Sequence, residues 1–444
     1  MRPRATPWSP TRRRWTFKIT PFRGFMLAVL GLSLVLLGYR FVVGLGEPTN
    51  LTDRWPWAFW TWWKLSAVSL AGAGYATMFM IYFMGRERYR DVERGAFVVS
   101  MLGYLMLCAA LLIDLGQWYN AYRPIYNWGY HSVMFELFWC VGSYTVVQVI
   151  EFMVIFEERV PWKPLNRVLK KIHAPLLLLA CFLPVFHQSA LVSLYVITKG
   201  RLDPLWWSQL LPVYAVMTFF YIGPAVVMLE NVIANRVYGR PVHTRIISDM
   251  FPVTVFVMFV YLALRLGDYA VRGVLPELFS GSVYGNLALI ELGIGVALPM
   301  AMFADRGLRT SRGAMVTASL LAVGGIWLFR FNVTITGLIE SNGGWYTPHW
   351  METVVVLGLA AGVALAYLFI VENFPIYTMQ DVAASEAAVA EARARARAAR
   401  AKPRVAVLPM DEAKILADAR SLEEAPTAEE TRTLEEAGRP GGSG

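Results

Sequence analysis

The segment TVVVLGLAAGVALAYLFIV occupies residues 353–371 and contains no charged side chain. As an α-helix it would be about 28 Å long at 1.5 Å per residue, close to the hydrocarbon thickness of a bilayer. Nine comparable apolar runs precede it. The sequence therefore predicts ten spans, at residues 25–46, 60–83, 96–116, 132–156, 172–191, 210–229, 250–271, 286–303, 315–338 and 353–371.

The composition of the 444 residues agrees with this prediction. Hydrophobic residues make up 56% and charged residues only 16%, whereas about 25% of an ordinary soluble protein is charged. The runs are too long and too continuous for the strands of an outer-membrane barrel, which alternate apolar and polar side chains. We predict an all-α integral membrane protein with about ten transmembrane helices.

Basic residues divide the chain and predict its orientation. Residues 1–24 are basic, residues 25–375 form the membrane domain, and residues 376–444 form a tail that is Ala/Arg-rich and then acidic. Lysine and arginine are concentrated before the first span and in every second loop. The opposite loops hold only Arg54, Arg123, Lys199, Arg201 and Arg272. By the positive-inside rule both termini are cytoplasmic, and we expect the basic part of the tail to rest on anionic lipid.

The loops on the opposite, outer side are rich in aromatic residues, as in QWYNAYRPIYNWGYH (117–131). Tryptophan and tyrosine anchor membrane proteins at the lipid–water interface. Exposed aromatic residues also form docking surfaces for partner proteins. The sequence leaves both interpretations open.

The sequence gives little support for a bound metal. Each cysteine stands alone within a span: Cys108, Cys140 and Cys181. This excludes the CxxC spacings of iron–sulfur, zinc and c-type haem sites. His173 and His187 are about 21 Å apart along span five, which would suit two stacked b haems. His131 could face His187, but no residue within a span faces His173, so we expect neither haem nor metal.

Ionisable residues lie near the outer ends of the predicted spans, where a charge is costly unless it is paired or functional. Asp114, Glu136 and His187 come from three successive spans, and we expect them at one depth. An imidazole with two carboxyl groups can hydrogen-bond a carbonyl group and exchange protons near neutral pH. In the second half, structural ion pairs are the alternative interpretation, with Arg265 pairing with Asp268 and Arg330 with Glu291.

Span four indicates a path for protons. Glu136, Ser143 and Glu151 project from one face, and Glu151 lies about 22 Å from Glu136. Glu230 ends span six at the depth of Glu151. Hydroxyl groups between the two ends come from Tyr104, Ser143 and Tyr144. The alternative is that Glu151 and Glu230 are interfacial carboxylates solvated by lipid headgroups.

Two motifs of the chain are distinctive, FHQSALVSLY (186–195) and DPLWWSQLLP (203–212). Five others accompany them: PWAFW (56–60), DLGQWYN (114–120), HSVMFE (131–136), LRLGDYAVR (264–272) and NGGWYTPHWME (342–352). Together these motifs resemble the NrfD/polysulfide-reductase membrane-subunit family, in particular its members in hydrogenase-2-type uptake hydrogenases, and the first two are the most specific matches. The matches extend in order from about residue 20 to 375, so the Ala/Arg tail lies outside the resemblance.

The resemblance implies ten helices, arranged as two four-helix bundles plus two peripheral helices, in the bacterial cytoplasmic membrane. It implies a haem-free and metal-free subunit that exchanges electrons between a quinone, menaquinone or ubiquinone, and a periplasmic iron–sulfur protein. The positions that match the quinone pocket are Asp114, Glu136 and His187, and we add Arg330 as a further candidate. Glu151, Glu230 and Tyr104 match positions associated with proton movement.

Two positions depart from the family pattern. The family's Ser-Ser-x-Gly after His-Gln is Ser-Ala-Leu-Val at 189–192, which puts the shape of the pocket in doubt. Lys64 stands near the start of span two, where an acidic or polar residue is expected, which puts the mode of partner docking in doubt.

We predict a quinone-reactive membrane subunit that is inactive alone, and a nickel–iron hydrogenase with large and small subunits as its complex. Its other partners would be the quinone pool and membrane lipid, and no nucleic acid. An alternative-complex-III-like quinol oxidoreductase or a sulfur-compound reductase would use a related subunit. Rival functions are a secondary transporter, a dihaem cytochrome b and a passive anchor. A transporter would show matched half-repeats with Gly/Pro-broken helices, and we find no convincing pair.

Overall fold

A computed structural model describes residues 7–9 and 14–401. Ten helices in this part are long and apolar enough to cross a membrane. We number them α1 Pro21–Val43, α2 Phe59–Tyr82, α3 Arg90–Asp114, α4 Val133–Arg159, α5 Lys163–Val196, α6 Leu211–Tyr238, α7 Thr244–Arg272, α8 Val283–Ala304, α9 Arg312–Thr334 and α10 Trp350–Asn373. An eleventh helix, α11, follows at Met379–Ala401. The prediction of an all-α, multi-pass membrane protein is confirmed.

The membrane helices form two four-helix bundles. In the first bundle, α2 and α4 each contact both α3 and α5, which closes a ring. In the second bundle, α6 and α8 each contact both α7 and α9. Helix α6 joins the bundles through α2, α3 and α5, while α1 pairs with α10 beside α3. This is the expected arrangement of two bundles with two peripheral helices.

We call the face where α1 begins and α10 ends the inner face, and the opposite one the outer face. At the inner face Arg23 forms a buried ion pair with Glu372. The backbone of Thr16 and the side chain of Asn373 exchange hydrogen bonds of 2.7 and 2.9 Å. The described end of the basic N-terminal segment therefore packs against the end of α10.

Two helix crossings are close enough to require glycine. Where α2 crosses α6, a Cβ atom on Gly223 would lie 2.6 Å from the carbonyl oxygen of Gly72. Where α8 crosses α9, a Cβ atom on Gly325 would lie 2.3 Å from the Cα atom of Gly295. Gly295 belongs to a π-helical segment of α8, Ile290–Ala297. Segments of this kind often occur at functional sites.

Helix α5 differs most from its predicted span, residues 172–191. It begins at Lys163 and continues to Val196, with Pro175 and Pro184 inside it. Packed membrane helices tolerate such prolines because neighbouring groups satisfy the freed carbonyls. His187 consequently lies about 13 Å from the outer end of α5, instead of near that end.

Candidate functional site

His187 lies inside the first bundle and is fully buried, with 0% of its surface exposed. Its Nδ1 atom is 2.9 Å from the hydroxyl oxygen of Tyr104. Its Nε2 atom has no hydrogen-bond partner within the described part of the chain. A buried polar atom left without a partner costs about 1–3 kcal/mol. Nε2 is therefore a position at which a polar ligand group or water can bind.

A series of polar groups continues from His187 toward the inner face. The ring of Tyr104 packs edge-to-face on Tyr144, with centroids 4.4 Å apart. The Nε2 group of Gln148 donates to the hydroxyl oxygens of Tyr144 at 3.2 Å and of Ser100 at 2.9 Å. Glu151 lies one turn beyond Gln148 on α4. We call His187, Tyr104, Tyr144, Gln148, Ser100 and Glu151 the polar chain.

The inner end of the polar chain contains two carboxylates. Glu151 is half-buried and lies within electrostatic range of Glu93, which accepts a hydrogen bond of 2.9 Å from Tyr82. Ser143, which the sequence placed between the ends, makes no side-chain hydrogen bond in the described structure. Gln148 lies between the two ends of the polar chain instead. Its position one turn before Glu151 on α4 is the sequence feature that could have identified it.

Asp114 and Glu136 have surroundings unlike those of His187. Asp114 ends α3, where it forms an ion pair with Lys64 and lies 3.4 Å from the hydroxyl oxygen of Thr61. The unexpected lysine in span two is thus the partner of a predicted site residue. Glu136 lies in the first turn of α4 and is exposed.

The three predicted quinone-pocket residues do not share one depth. Tyr104, beside His187, is ten residues from Asp114, or about 15 Å along α3. Tyr144 is eight residues from Glu136, or about 12 Å along α4. The expectation of a common depth is wrong because α5 extends beyond the predicted end of its span. No hydrogen bond or ion pair joins the three residues in the described structure.

Tyr195 and Arg330 form a second polar position between the bundles. Arg330 is 1% exposed and donates from Nη2 to the hydroxyl oxygen of Thr218 at 3.1 Å. Its Nε atom and the buried hydroxyl of Tyr195 lack partners among the described residues. Tyr195 lies within electrostatic range of both Asp114 and Arg330. It was not predicted, and the only signal for it was its place at the end of FHQSALVSLY.

Glu291 organises a buried cluster in the second bundle. Its carboxylate accepts hydrogen bonds from Trp206 at 2.9 Å, from Asn332 at 2.8 Å and from Arg265 at 3.2 Å. The donors come from the loop before α6, from α9 and from α7. The cluster therefore fixes that outer loop and three helices relative to one another.

This cluster corrects the predicted ion pairs. Arg265 pairs with Glu291, and Asp268 pairs with Arg272 at 2.8 Å. The predicted pairs of Arg265 with Asp268 and of Arg330 with Glu291 are wrong. Residues 268 and 272 are separated by one helical turn, so their side chains meet, while Glu291 points into the bundle toward Arg265.

Glu230 belongs to a different network at the inner face. It is buried, accepts hydrogen bonds from Tyr367 and Tyr377, and lies 3.8 Å from Nη1 of Arg240. Burial and the nearby Glu230 carboxylate raise the pKa of Tyr377, so its hydroxyl stays protonated and can donate. No hydrogen bond or ion pair joins Glu230 to Glu151 in the described structure.

The outer loop between α3 and α4 presents an aromatic surface. More than half of the surface of each of these side chains is exposed: Tyr119, Tyr122, Tyr126, Trp128 and Tyr130. Trp118 ties the loop to α1, since its ring nitrogen donates to the carbonyl of Phe41 at 3.2 Å. The surface lies beside the outer ends of α3 and α4.

The described histidines do not form a pair of axial haem ligands. His131 is exposed, His243 hydrogen-bonds Asp381 at the inner face, and His349 caps α10. The side chain of His173 is outside the described part of the chain. Within that part, no group of three His, Cys, Asp or Glu side chains could hold a metal ion.

Two bundles built around buried hydrogen-bonding groups define a polytopic helical membrane protein with an intramembrane polar site. The chain belongs to the NrfD family: the family described as polysulphide reductase, NrfD, matches residues 49–342. This match covers both bundles. Helices α1, α10 and α11 lie outside it.

Three relatives match most of the chain. One is a protein of Nitratidesulfovibrio vulgaris, 30% identical over 78% of this chain and 92% of its own length. Another is the probable Ni/Fe-hydrogenase 2 b-type cytochrome subunit of Escherichia coli, 26% identical over 78% of this chain and 89% of its own length. A third is the integral membrane subunit of menaquinone reductase from N. vulgaris, 24% identical over 82% of this chain and 93% of its own length.

Proposed function

We propose that the chain is the quinone-reactive integral membrane subunit of a multi-subunit respiratory oxidoreductase. The observation that carries this proposal is the buried, unpartnered Nε2 atom of His187 at the head of the polar chain. A quinone carbonyl oxygen would accept a hydrogen bond from an Nε2–H group. A relative's name, the integral membrane subunit of menaquinone reductase, points to the same class of ligand.

The polar chain supplies protons to that position. If Tyr104 donates its hydroxyl hydrogen to Nδ1, His187 carries its own proton on Nε2, directed at the ligand. A proton given up at Nε2 is balanced when Nδ1 takes the hydroxyl hydrogen of Tyr104, and Glu151 is the carboxyl group on the inner side that would return a proton to Tyr104. Reduction of a quinone to a quinol takes up two electrons and two protons. In this proposal Ser143 is only a hydroxyl group on the same helix as the polar chain. Glu230 is a second carboxylate at the inner face.

The outer residues take separate roles. Asp114 and Glu136 lie about 12–15 Å outward of His187, so they would exchange protons at the outer end instead of contacting the same carbonyl. Arg330 and Tyr195 offer unpartnered polar atoms to a quinone head that approaches between the bundles. The quinone would be menaquinone or ubiquinone.

Partners and orientation complete the proposal. The positive-inside rule places the inner face and both termini in the cytoplasm of a bacterium. A periplasmic iron–sulfur protein would dock at the outer face, where the aromatic loop lies. The Ni/Fe-hydrogenase name of the Escherichia coli relative supports a hydrogenase complex. A quinol oxidoreductase resembling alternative complex III, or a sulfur-compound reductase, is the alternative complex.

His187→Ala tests the proposal in membranes that contain the whole complex. We expect it to lower quinone-linked turnover by about a hundredfold or more, because it removes both the hydrogen bond to the ligand and the proton donor. Reduction of an artificial dye by the partner subunits should stay unchanged. His131→Ala, at an exposed histidine, is the matched control. Full quinone-linked turnover in His187→Ala would remove His187 from the mechanism.

Glu136→Gln tests the outer proton exchange separately. We expect it to slow quinone-linked turnover while quinone-analogue binding stays unchanged, because Glu136 lies too far from His187 to contact the same carbonyl. A loss of analogue binding would contradict this assignment. Unchanged turnover would exclude Glu136 from proton exchange.

A b-type cytochrome is the second candidate, favoured by the name of the Escherichia coli relative, a probable b-type cytochrome subunit. The bis-histidine b haem of a membrane cytochrome needs two facing axial ligands, and the described histidines do not supply such a pair. We therefore expect the purified subunit to show no Soret band. A Soret band that disappears in His187→Ala would establish the haem protein instead.

A further inference from the structure

An apolar groove runs between α7 and α8 on the side of the second bundle that faces lipid. Its volume is about 380 Å³, and its lining side chains include Pro252, Phe256 and Phe259 of α7 and Met300, Ala301 and Ala304 of α8. Phe256 and Phe259 are 67% and 59% exposed. Behind the groove the buried rings of Phe251 and Phe303 stack with their centroids 4.0 Å apart. This stack holds the two helices together, so the groove is already formed in the structure.

The groove lies at the depth of the acyl chains of the inner leaflet. Helix α7 has 29 residues, so it is about 43 Å long and extends about 6 Å beyond the hydrocarbon core at each end. It begins at the inner face with Thr244. Pro252 and Phe259 lie about 12 and 22 Å from that end. The groove therefore spans the inner half of the hydrocarbon core and ends near its middle.

Arg245 is on the same face of α7 as the groove. It precedes Pro252 by seven residues, Phe256 by eleven and Phe259 by fourteen. At 3.6 residues per turn these separations are close to two, three and four whole turns. Arg245 is in the first turn of α7, so it lies at headgroup depth in line with the groove.

Two more arginines follow the end of α8 at the inner face. Arg306 and Arg309 are two and five residues beyond Ala304, the last residue of α8. The turn Leu308–Thr310, which contains Arg309, contacts α7. The loop thus packs against the helix that carries Arg245, and all three arginines belong to the inner end of the α7–α8 pair.

The three arginines have no counter-ion in the described structure. Arg245 and Arg306 are exposed and make no side-chain hydrogen bond or ion pair there. Arg309 is partly buried, and its Nε atom has no hydrogen-bond partner among the described residues. The nearby carboxylates are engaged elsewhere: Asp249 pairs with Arg88 at 2.8 Å, and Asp305 accepts from the backbone nitrogen of Leu308 at 2.7 Å.

We propose that this groove binds one anionic phospholipid of the inner leaflet, with the phosphate group at Arg245, Arg306 and Arg309 and an acyl chain between α7 and α8. Guanidinium groups form strong, charge-assisted hydrogen bonds with phosphate. The positive-inside rule makes the inner leaflet the cytoplasmic one, where anionic lipids collect and basic pockets between helices bind their headgroups. A polyprenyl tail would fill the groove without using the arginines, and a protein segment would have to supply several carboxylates.

Native mass spectrometry of the detergent-solubilised complex tests the site. The complex is titrated with phosphatidylglycerol, or with phosphatidylcholine that has the same acyl chains. We expect the wild type to prefer phosphatidylglycerol. The double variant Arg245→Gln/Arg309→Gln should bind phosphatidylglycerol about tenfold more weakly or worse, because two charged contacts are lost, and should bind phosphatidylcholine as before. Ala301→Phe should weaken the binding of both lipids, since the added ring fills the groove.

The matched control is Arg167→Gln, which removes an exposed arginine from the inner end of α5 in the other bundle and should bind phosphatidylglycerol like the wild type. Wild-type affinity in the double variant, or an equal loss in Arg167→Gln, overturns the proposal. A retained menaquinone that is insensitive to the arginine changes would assign the groove to a quinone tail. A dimer that forms in place of the lipid adduct would assign it to a second copy of the chain. Either result also overturns the lipid site.

Discussion

Replacing Gly325 by alanine should separate α8 from α9 and break the cluster around Glu291. The new Cβ atom would lie 2.3 Å from the Cα atom and 2.6 Å from the carbonyl oxygen of Gly295. Both are backbone atoms, so the helices must move apart by about 1 Å to reach an ordinary contact. Gly295 is one turn from Glu291, and the hydrogen bond of 2.8 Å from Asn332 crosses the same interface.

The expected cost combines two terms. Overpacking of a filled interior costs about 1–3 kcal/mol. Loss of a hydrogen bond to a buried charged group costs about 1.5–3 kcal/mol more. We therefore expect Gly325→Ala to destabilise the subunit by about 2.5–6 kcal/mol, which is large for a single methyl group.

Thermal unfolding of the detergent-solubilised complex, followed by tryptophan fluorescence, measures this effect. Gly324→Ala is the matched control: it is the neighbouring residue on the same helix, and no atom lies within 4 Å of its added Cβ position. We expect Gly324→Ala to unfold at the wild-type temperature and Gly325→Ala well below it. Equal midpoints for the two variants would show that the helix crossing is not as close as described.

Three further predictions concern the first bundle and the inner face. Tyr104→Phe removes the hydrogen bond to His187 and should lower quinone-linked turnover about tenfold or more, whereas unchanged turnover would separate Tyr104 from the polar chain. Lys64→Met leaves the carboxylate of Asp114 without its cation and should lower the free energy of unfolding by about 1–3 kcal/mol, with Lys64→Arg as the conservative control in chemical denaturation. Burial raises the pKa of Asp381, but the hydrogen bond from His243 and the charge of the neighbouring arginine leave it below the usual value. Its stabilising effect is therefore present above about pH 3.9 and is lost as pH falls through the lower folded value, so thermal midpoints of wild type and Asp381→Asn should differ at pH 6 and approach each other as the pH is lowered below about 3.9.

The membrane spans could be predicted because each is a long apolar run. The two-bundle fold could be predicted because the motifs resemble a family with that fold. Continuous hydrophobicity cannot, however, locate a helix end when the helix continues into polar residues. Helix α5 shows this at its inner end, where it runs through the polar segment KPLNRVLKK (163–171) before the predicted span begins. At its outer end it continues through VSLYV (192–196), although the predicted span stopped at residue 191, and the depth of His187 was misjudged for that reason.

The partners of the buried charges could not be read from the sequence. Lys64 and Asp114 are 50 residues apart, and Tyr104 and His187 are 83 apart. Each contact depends on how far two helices rotate against each other, and steric packing decides that rotation. Spacing along the sequence can predict ion pairs within one helix. Within α7 it predicted that Asp268 pairs with Arg265, but the partner of Asp268 is Arg272, one full turn further along the helix.

The pairing of α1 with α10 has a consequence for how the protein is made. Arg23 and Glu372 are separated by 349 residues, so the first helix to enter the membrane finds its partner only after the last one has been synthesised. Until then Arg23 keeps only local acceptors such as the carbonyl oxygen of Lys18. An interrupted chain would leave that buried arginine without its carboxylate partner, and α1 without the helix on which it packs.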